Sequence, residues 1–347
     1  MKNLFSFCIM LTFISCDSNT FSPIVELDIP PHTTRLVIRA DWSAGSDSLA
    51  VFVSKSRGVL DSTKLNFSQS YFYLRGKDTV RYFVQQYDTV PNAKVELLRN
   101  GQLLGTIPYY DKGYHLAKGL FKLDTVVGTS YTIRVSAPNF ETVEATQKVQ
   151  NRFSILRGKY LANGALFKYP YDPLGSPEKG DALSVELQDN GNDENYYLLE
   201  SNYFQRWSYD YRITVTRDTL NKKYVADTYV RHIDPNMEIN FLSDRTFNGK
   251  TYLWQFWLEP EIEFYNWDNI STGLFQFQSK PKSGDKVTMR IRSVSKDFIL
   301  FIKTLELSYE AQDNPFFTEP VILHSNVKNG YGIFSIGSVQ TVSFVIP

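Results

Sequence analysis

Short runs in which apolar and polar residues alternate recur from residue 35 onward, which is the pattern of β-strands with one buried face. Alternating runs occur at residues 35–42, 49–53, 71–74, 80–86, 182–188, 195–203, 211–216, 224–233, 251–264, 275–278 and 286–294. Because the runs are short and turn residues separate them, the pattern predicts a mostly β protein.

The strongest local signal is a hairpin. Residues 93–98 and 102–107 alternate on either side of Asn100-Gly101. Both positions of such a two-residue turn need positive φ, which Asn and Gly adopt readily. Two further turns between strand-like runs are expected, at Pro138-Asn139 and at Asn329-Gly330.

Strands at intervals of roughly ten residues are typical of a β-sandwich. We therefore predict a first domain over residues 24–150, an immunoglobulin-like or carboxypeptidase-regulatory-like β-sandwich. A Gly- and Pro-rich stretch, residues 151–180, follows it. The remainder, residues 151–347, is predicted to form a second β-rich domain with one helix.

That helix is expected at about residues 295–311. Ser295 can cap its N-terminus, and Phe298, Ile302 and Leu305 recur at helical spacing on one face. Asn314-Pro315 would end it, since the residue before a proline avoids the helical conformation. The pattern predicts an amphipathic helix near the C-terminus.

The N-terminus has the layout of a secretory signal peptide. Lys2 precedes an apolar run at residues 4–14, and Ser15-Cys16 closes it. We predict a signal peptide at residues 1–15, a lipid on Cys16 and a tether at residues 16–23. The alternatives are an ordinary signal peptide, or a short membrane anchor with Cys16 incidental, although the run is short for a membrane span.

Composition narrows the function classes. The chain has 37 basic and 37 acidic side chains and a net charge of zero, so it lacks the positive charge typical of nucleic-acid binding. Aromatic residues make up 15% of the chain, which favours β-sheet. If the first fifteen residues are removed, Cys16 is the only cysteine left, so we predict neither a disulfide nor a cysteine metal site, and no cofactor.

Several segments together resemble one known family. They are the cysteine ending of the signal sequence and residues 93–97, 131–138, 314–320 and 325–334. With these, the chain resembles a family of Bacteroidota envelope lipoproteins designated domain of unknown function 4249. The resemblance implies an outer-membrane lipoprotein, commonly encoded beside TonB-dependent receptors. It implies no established activity and no catalytic residue.

A short motif of Asp, then Ser or Thr, then an aliphatic residue or Thr recurs along the chain. It is similar to the O-glycosylation signal on exported proteins of that bacterial group, and an ordinary turn leading into a strand explains it equally. The candidate glycosylated residues are Ser48, Ser62, Thr79, Thr89, Thr125 and Thr219.

The run at residues 251–267 is rich in aromatic residues, which can stack on sugars or line an apolar groove. We take Trp257, Trp267 and Tyr265 as candidate ligand-facing residues. The alternative is that they pack in the core of a sheet. Alternating glutamates at positions 259, 261 and 263 share one strand face and are more typical of a solvated face than of a catalytic site.

The sequence contains only weak patterns for a metal site or for catalytic residues. Residues 189–194 form an acidic turn that lacks the spacing of a calcium loop, so we expect an ordinary solvated turn. The four histidines are far apart in sequence. No metal site and no catalytic residue are predicted.

Together these patterns predict a non-enzymatic, lipid-anchored accessory protein of the outer membrane, facing either the periplasm or the cell surface. The family resemblance implies that its partner is a TonB-dependent receptor or another β-barrel complex. The alternatives are a structural or assembly subunit of an outer-membrane complex and a glycan-active hydrolase with distant carboxylates.

Overall fold

The computed structural model describes residues 32–57, 70–75, 78–83, 88–150, 153–167, 176–191, 194–199, 210–219, 223–232, 241–258, 262–266, 275–313 and 321–347. The chain divides into two compact units, Met1–Thr34 with Arg57–Thr63, and Arg35–Ser56 with Lys64–Pro347. The first unit is described at residues 32–34 and 57. All the described strands and helices belong to the second unit.

The first half of the chain contributes ten strands. They are β1 Leu36–Ser43, β2 Ser48–Lys55, β3 Ser70–Arg75, β4 Asp78–Phe83, β5 Lys94–Arg99, β6 Gln102–Ile107, β7 Tyr109–Asp111, β8 Tyr114–Lys118, β9 Ser130–Ser136 and β10 Val143–Lys148.

The second half adds twelve strands, one α-helix and a short 3-10 helix. They are β11 Ser154–Phe167, β12 Glu178–Gln188, β13 Tyr196–Leu199, β14 Asp210–Asp218, β15 Lys223–His232, β16 Leu242–Ser243, the 3-10 helix Asp244–Thr246, β17 Thr251–Leu258, β18 Ile262–Asn266, β19 Phe275–Ser279, β20 Lys286–Val294, α1 Lys296–Asp313, β21 Val327–Lys328 and β22 Tyr331–Val345.

Three sheets hold the described strands. The largest has the order β11-β12-β17-β15-β14-β20-β22-β1-β2-β8-β7, with β13, β16, β18 and β19 paired beside this path. A five-stranded sheet has the order β21-β10-β9-β5-β6, and β3 pairs with β4. The predicted mostly β fold with a helix near the C-terminus is confirmed. The immunoglobulin-like subtype and the domain boundaries at residue 150 stay predictions.

The predicted turns form for the expected reason. Asn100 and Gly101 have φ of 48° and 82°, and they join β5 to β6. Asn139 and Asn329 also have positive φ, at the turns between β9 and β10 and between β21 and β22. The local sequence therefore sets the register of these pairs.

A first hydrophobic core lies between the five-stranded sheet and the part of the large sheet formed by β22, β1, β2 and β8. Val51, Leu97 and Ile133 are completely buried there, and Trp42 meets Tyr131 edge to face with ring centroids 5.3 Å apart. A second core contains Leu183, Trp254, Phe256, Val287 and other residues of β12, β17 and β20.

One strand, β22, serves both cores. Its first half runs parallel to β1, from Val37 opposite Tyr331 to Ser43 opposite Gly337, and places Phe334 and Ile336 in the first core. Its second half runs antiparallel to β20, and Phe344 packs against the second core. The C-terminal strand thus adds to a core that otherwise consists of residues 36–149 and Val327.

The helix matches its sequence signals. Ser295 caps it by accepting a hydrogen bond of 3.3 Å from the backbone N–H of Phe298. Ile299 and Ile302 are buried, and most of the remaining turns are half-buried, so the helix is covered on much of its surface. Within the described residues, no helix is both long enough and apolar enough to cross a membrane.

A buried arginine lies where the two cores meet. Arg292 of β20 forms a two-pronged ion pair with Asp41 of β1, and its guanidinium lies over the ring of Phe298, 5.7 Å from the centroid. The neighbouring Gly337 of β22 leaves room for it, because a Cβ there would overlap the Nε atom of Arg292. The ion pair fixes β20, β1 and the start of α1 relative to one another.

We predict that Gly337→Ala lowers the free energy of unfolding by about 1–3 kcal/mol, the usual cost of overpacking. The added methyl group overlaps both the Arg292 side chain and the backbone carbonyl oxygen of Ser293, so the side chain, β20 or both must shift. Urea denaturation measures the change. Thr341→Ala on the exposed face of the same strand is the matched control and should change stability by less than about 0.5 kcal/mol. Equal effects of both substitutions would contradict this account of Gly337.

Candidate functional site

Trp257, expected at a ligand-facing surface, lies in the interior with 1% of its surface exposed. Alternation along β17 does point it away from the second core, opposite to Trp254 and Phe256. However, Ala165 of β11 and Ala182 of β12 pack on it, and Gly180 leaves the space that its indole fills. The prediction of an exposed Trp257 is therefore wrong, because a neighbouring strand covers that face.

Only some of the other predicted site residues lie within the described part of the chain. Tyr265 lies in β18 and Thr79 in β4, whereas Cys16, Ser62 and Trp267 lie outside the described residues. Of the glycosylation candidates, those with exposed side chains are Ser48, Thr125 and Thr219, and Thr89 is half-buried. Glycosylation stays a prediction at all six positions.

The Asp124-Thr125-Val126 motif has a structural role. The carboxylate of Asp124 accepts a hydrogen bond of 3.0 Å from the backbone N–H of Val126, and it also pairs with Arg99. This is an aspartate turn within the loop between β8 and β9, and it leaves open whether Thr125 is glycosylated. The same hydrogen bond lowers the pKa of Asp124.

A buried polar network under the acidic turn is the main concentration of perturbed titratable groups in the described part of the chain. Groups with shifted pKa values cluster at functional sites, although structural networks shift them too. The network comprises Asp189, Glu194, Asn195, Tyr196, Tyr197, Asp244 and Arg245.

Asp189 lies at the centre of this network. Its carboxylate accepts hydrogen bonds from the hydroxyl of Tyr197, from Nδ2 of Asn195 at 3.1 Å, and from two backbone N–H groups, those of Gly191 at 2.8 Å and Gly249 at 2.7 Å. Asp189 is only 2% exposed, so the expected solvated turn is wrong at this residue. Four donors hold the carboxylate and join the turn at residues 189–194 to the turn at residues 247–250.

Asp244 is the second carboxyl of the network and is completely buried. Its Oδ2 accepts hydrogen bonds from the backbone N–H of Asn195 at 2.8 Å and from Nδ2 of the same residue at 3.1 Å. Its Oδ1 has no hydrogen-bond partner among the described residues. Burial raises the pKa of Asp244, and the nearby charge of Asp189 acts in the same direction. Compared with the unfolded chain, the folded protein therefore binds the proton of Asp244 more tightly.

Glu194 connects the network to the surface. It accepts hydrogen bonds of 2.8 Å from Nε of Arg245 and from the hydroxyl of Tyr196, and Nζ of Lys296 lies 3.7 Å away at the start of α1. The hydrogen bond from Arg245 lowers the pKa of Glu194, and burial raises the pKa of Tyr196 to about 12. These contacts tie the 3-10 helix, β13 and α1 together.

The network is suited to holding neighbouring turns and strands together. Asp189 has its oxygens engaged by protein donors, and Asp244 is sealed from solvent, so neither carboxyl can reach an external substrate. Across the described ranges, no group of three or more His, Cys, Asp or Glu residues is placed to hold a metal ion. Sequence reasoning missed the network because Asp244 is distant from Asp189 in the chain. Asn195 and Tyr197 are closer to Asp189 but belong to no recognisable motif.

A second candidate site is an exposed apolar strip, which we call the leucine strip. It comprises Leu161 of β11 and Leu253 of β17, which are 63% and 51% exposed and which the pairing through β12 places on the same face of the sheet. Leu156, at a bulge, and Leu166, on the opposite face, are exposed as well but do not belong to it. In the described part, β11 ends the strand order of the large sheet and pairs with β12. Beside the strip, Arg157 and Glu186 form an ion pair. Grouped exposed leucines of this kind are typical of a protein contact surface.

Comparison with known proteins places the chain in one family. The model of the family described as Domain of unknown function (DUF4249) matches residues 23–343, nearly the whole chain. The chain belongs to this family. Among curated proteins, none matches it. The resemblance found in the sequence is thereby confirmed at the level of the family.

We predict that Asp189→Ala destabilises the fold by about 3–5 kcal/mol, because four donors lose their common acceptor in a buried place. Tyr197→Phe removes one of those donors and should cost about 1–2 kcal/mol. Urea denaturation of both variants measures the difference. A cost for Asp189→Ala no larger than that of Tyr197→Phe would show that the carboxylate does not hold the two turns together.

Asp244 should make stability depend on pH. Its folded pKa lies above the unfolded value of about 3.9, so the folded chain keeps a proton that the unfolded chain has released. The free energy of unfolding of the wild type should therefore fall, relative to Asp244→Asn, as the pH rises through this window. Denaturation curves recorded from about pH 4 to about pH 8 measure it. Parallel pH profiles of the two proteins would contradict the shift.

Proposed function

We propose that this chain is a lipid-anchored accessory protein of the bacterial outer membrane that binds a β-barrel partner of a TonB-dependent transport system and has no enzymatic role. The sequence at residues 1–16 supports the anchor, since it combines an apolar run with a closing cysteine. Membership of the family is compatible with this role, although the family name carries no activity.

The observation that carries the proposal of a protein partner is the leucine strip. Its side chains lie on β11 and β17, the first and third strands of the large sheet's order, where a partner can cover them without any rearrangement of the cores. Leucines on a sheet gain about 25 cal/mol for each Å² of apolar surface that a partner covers. An anchor in the same membrane raises the effective concentration of such a partner, so a modest contact area is sufficient.

The strip also favours a second function, that of a structural or assembly subunit of an outer-membrane complex. A sheet face with exposed leucines is suited to a broad protein contact and does not require a ligand. The two functions differ in what their loss would affect. Loss of an accessory subunit reduces nutrient uptake, whereas loss of an assembly subunit reduces the amount of β-barrel protein in the membrane.

The test is co-purification from detergent-solubilised outer membranes. We expect the wild-type chain to recover a β-barrel protein, identified by mass spectrometry, and the double variant Leu161→Asp, Leu253→Asp to recover at least about tenfold less, because each buried charge opposes the contact. In the same strains, Cys16→Ser should move the protein from the membrane fraction to the soluble fraction. Levels of the β-barrel protein distinguish the accessory function from the assembly function.

Leu307→Asp, at an exposed position of α1, is the matched control and should recover as much partner as the wild type. Denaturation curves of all variants exclude unfolding as the cause of a loss. Recovery of no β-barrel protein by the wild type, or unchanged recovery by the double variant, would contradict the proposed partner. Retention of Cys16→Ser in the membrane would contradict the anchor.

A further inference from the structure

A second group of exposed apolar side chains lies at one end of the first core. Leu120, Val126 and Val127 belong to the loop between β8 and β9, and Leu103 belongs to the start of β6. Their exposures range from 48% to 61%. We call these four residues the apolar tip. Three of them lie in one loop and the fourth in a separate strand, so their common exposure is not the consequence of a single frayed strand.

The tip connections meet through hydrogen bonds and an ion pair. The backbone N–H of Asn100 donates to the carbonyl of Ser130 at 2.8 Å, and Oδ1 of Asn100 accepts from the N–H of Ser130 at 2.9 Å. Arg99 pairs with Asp124 in the loop. The turn that begins β6 is therefore joined directly to the loop that carries Val126 and Val127.

The loop is also held by contacts with the first core and with the turn between β1 and β2. Leu123 is buried in the first core, and its backbone exchanges hydrogen bonds with Gly45 at 3.3 Å and Ser46 at 3.0 Å. Farther along, the N–H of Gly128 donates to the carbonyl of Val149 at 2.9 Å. Because hydrogen bonds hold the loop on both sides, Val126 and Val127 cannot turn into the core. The fold therefore keeps them exposed.

Positive charge surrounds the apolar tip. Lys118 and Lys122 flank Leu120 on the same connection, and Lys148 lies beside the Val149 contact of the loop. All three lysines are exposed. The acidic residues near them are Asp47, Asp124, which is paired with Arg99, and Asp297, which accepts a hydrogen bond of 2.9 Å from Gln147 beside Lys148. A chain that is neutral overall thus places an excess of positive charge next to its exposed apolar loop.

We propose that the apolar tip and its lysines form a docking surface for an anionic phospholipid bilayer. Aliphatic side chains on a fixed loop can enter the region between headgroups and acyl chains, while the lysines contact the phosphate groups. A bilayer needs no matching shape, and this suits small aliphatic groups on one loop and a separate strand. Protein hot spots favour Trp, Tyr and Arg, and the tip has Val and Leu instead. The leucine strip differs, because its neighbouring Arg157 and Glu186 neutralise each other.

The surface does not depend on the lipid at Cys16 or on a transport partner, so it is tested in the full chain carrying Cys16→Ser. Vesicles of phosphatidylcholine are compared with vesicles in which about one-third of the lipid is phosphatidylglycerol. We expect sedimentation with the anionic vesicles at least about tenfold above that with neutral vesicles, and we expect it to weaken as salt is raised. Adding Val126→Asn and Val127→Asn should reduce it about tenfold.

Two matched controls separate the tip from other surfaces. Leu161→Asn with Leu253→Asn removes similar apolar area from the leucine strip and should leave vesicle binding unchanged. Lys118→Glu with Lys122→Glu should abolish the preference for anionic vesicles. Urea denaturation confirms that each variant is folded, since all the altered side chains are exposed.

Equal binding to both kinds of vesicle, no binding to either, or unchanged binding by the Val126 and Val127 variant would each overturn the proposal. Mass spectrometry of the native protein adds an independent readout. A glycan on Thr125 would place a large polar group beside Val126, where the bilayer would have to lie. Its presence would overturn the membrane contact, and unmodified Thr125 agrees with it.

Discussion

The fold depends on the sharing of β22 between two hydrophobic cores. A sandwich and a second β unit could be joined by a linker alone, and then each would move independently. Here one continuous strand pairs with β1 on one side and with β20 on the other. Its apolar side chains alternate into the first core and then into the second, so the backbone hydrogen bonds of one strand hold both together.

The Arg292–Asp41 ion pair reinforces that junction. Arg292 is buried and Asp41 is partly exposed, so removing Asp41 would leave a buried positive charge with no carboxylate to compensate it. Removal of Asp41 would therefore lower the free energy of unfolding by far more than the intact ion pair contributes to it. The pair therefore acts less as a source of stability than as a constraint that permits only one arrangement of β20 on β1. Gly337 is the residue that makes this arrangement sterically accessible.

Local chemistry in the sequence was sufficient to predict some features and not others. The hairpin at Asn100-Gly101 and the helix capped by Ser295 were predictable, because their signals lie within a few neighbouring residues. The parallel pairing of β22 with β1 joins strands from opposite ends of the described chain and leaves no local trace. For Trp257, alternation gives the correct face of the strand, but only the tertiary structure shows that β11 covers it. The role of Asp189 was hidden because its donors come from separate turns.

The position of β22 at the end of the chain also affects when the first core can form. The first core lacks Phe334 and Ile336 until the last residues of the chain are available, so its sandwich cannot be completed while the rest is still being synthesised. Contacts of such long sequence separation form late and slowly. A protein that must cross a membrane as an unfolded chain gains from this delay. If the chain is exported, as the proposed lipid anchor requires, the topology that unites the two cores would keep it competent for export until its C-terminus has followed.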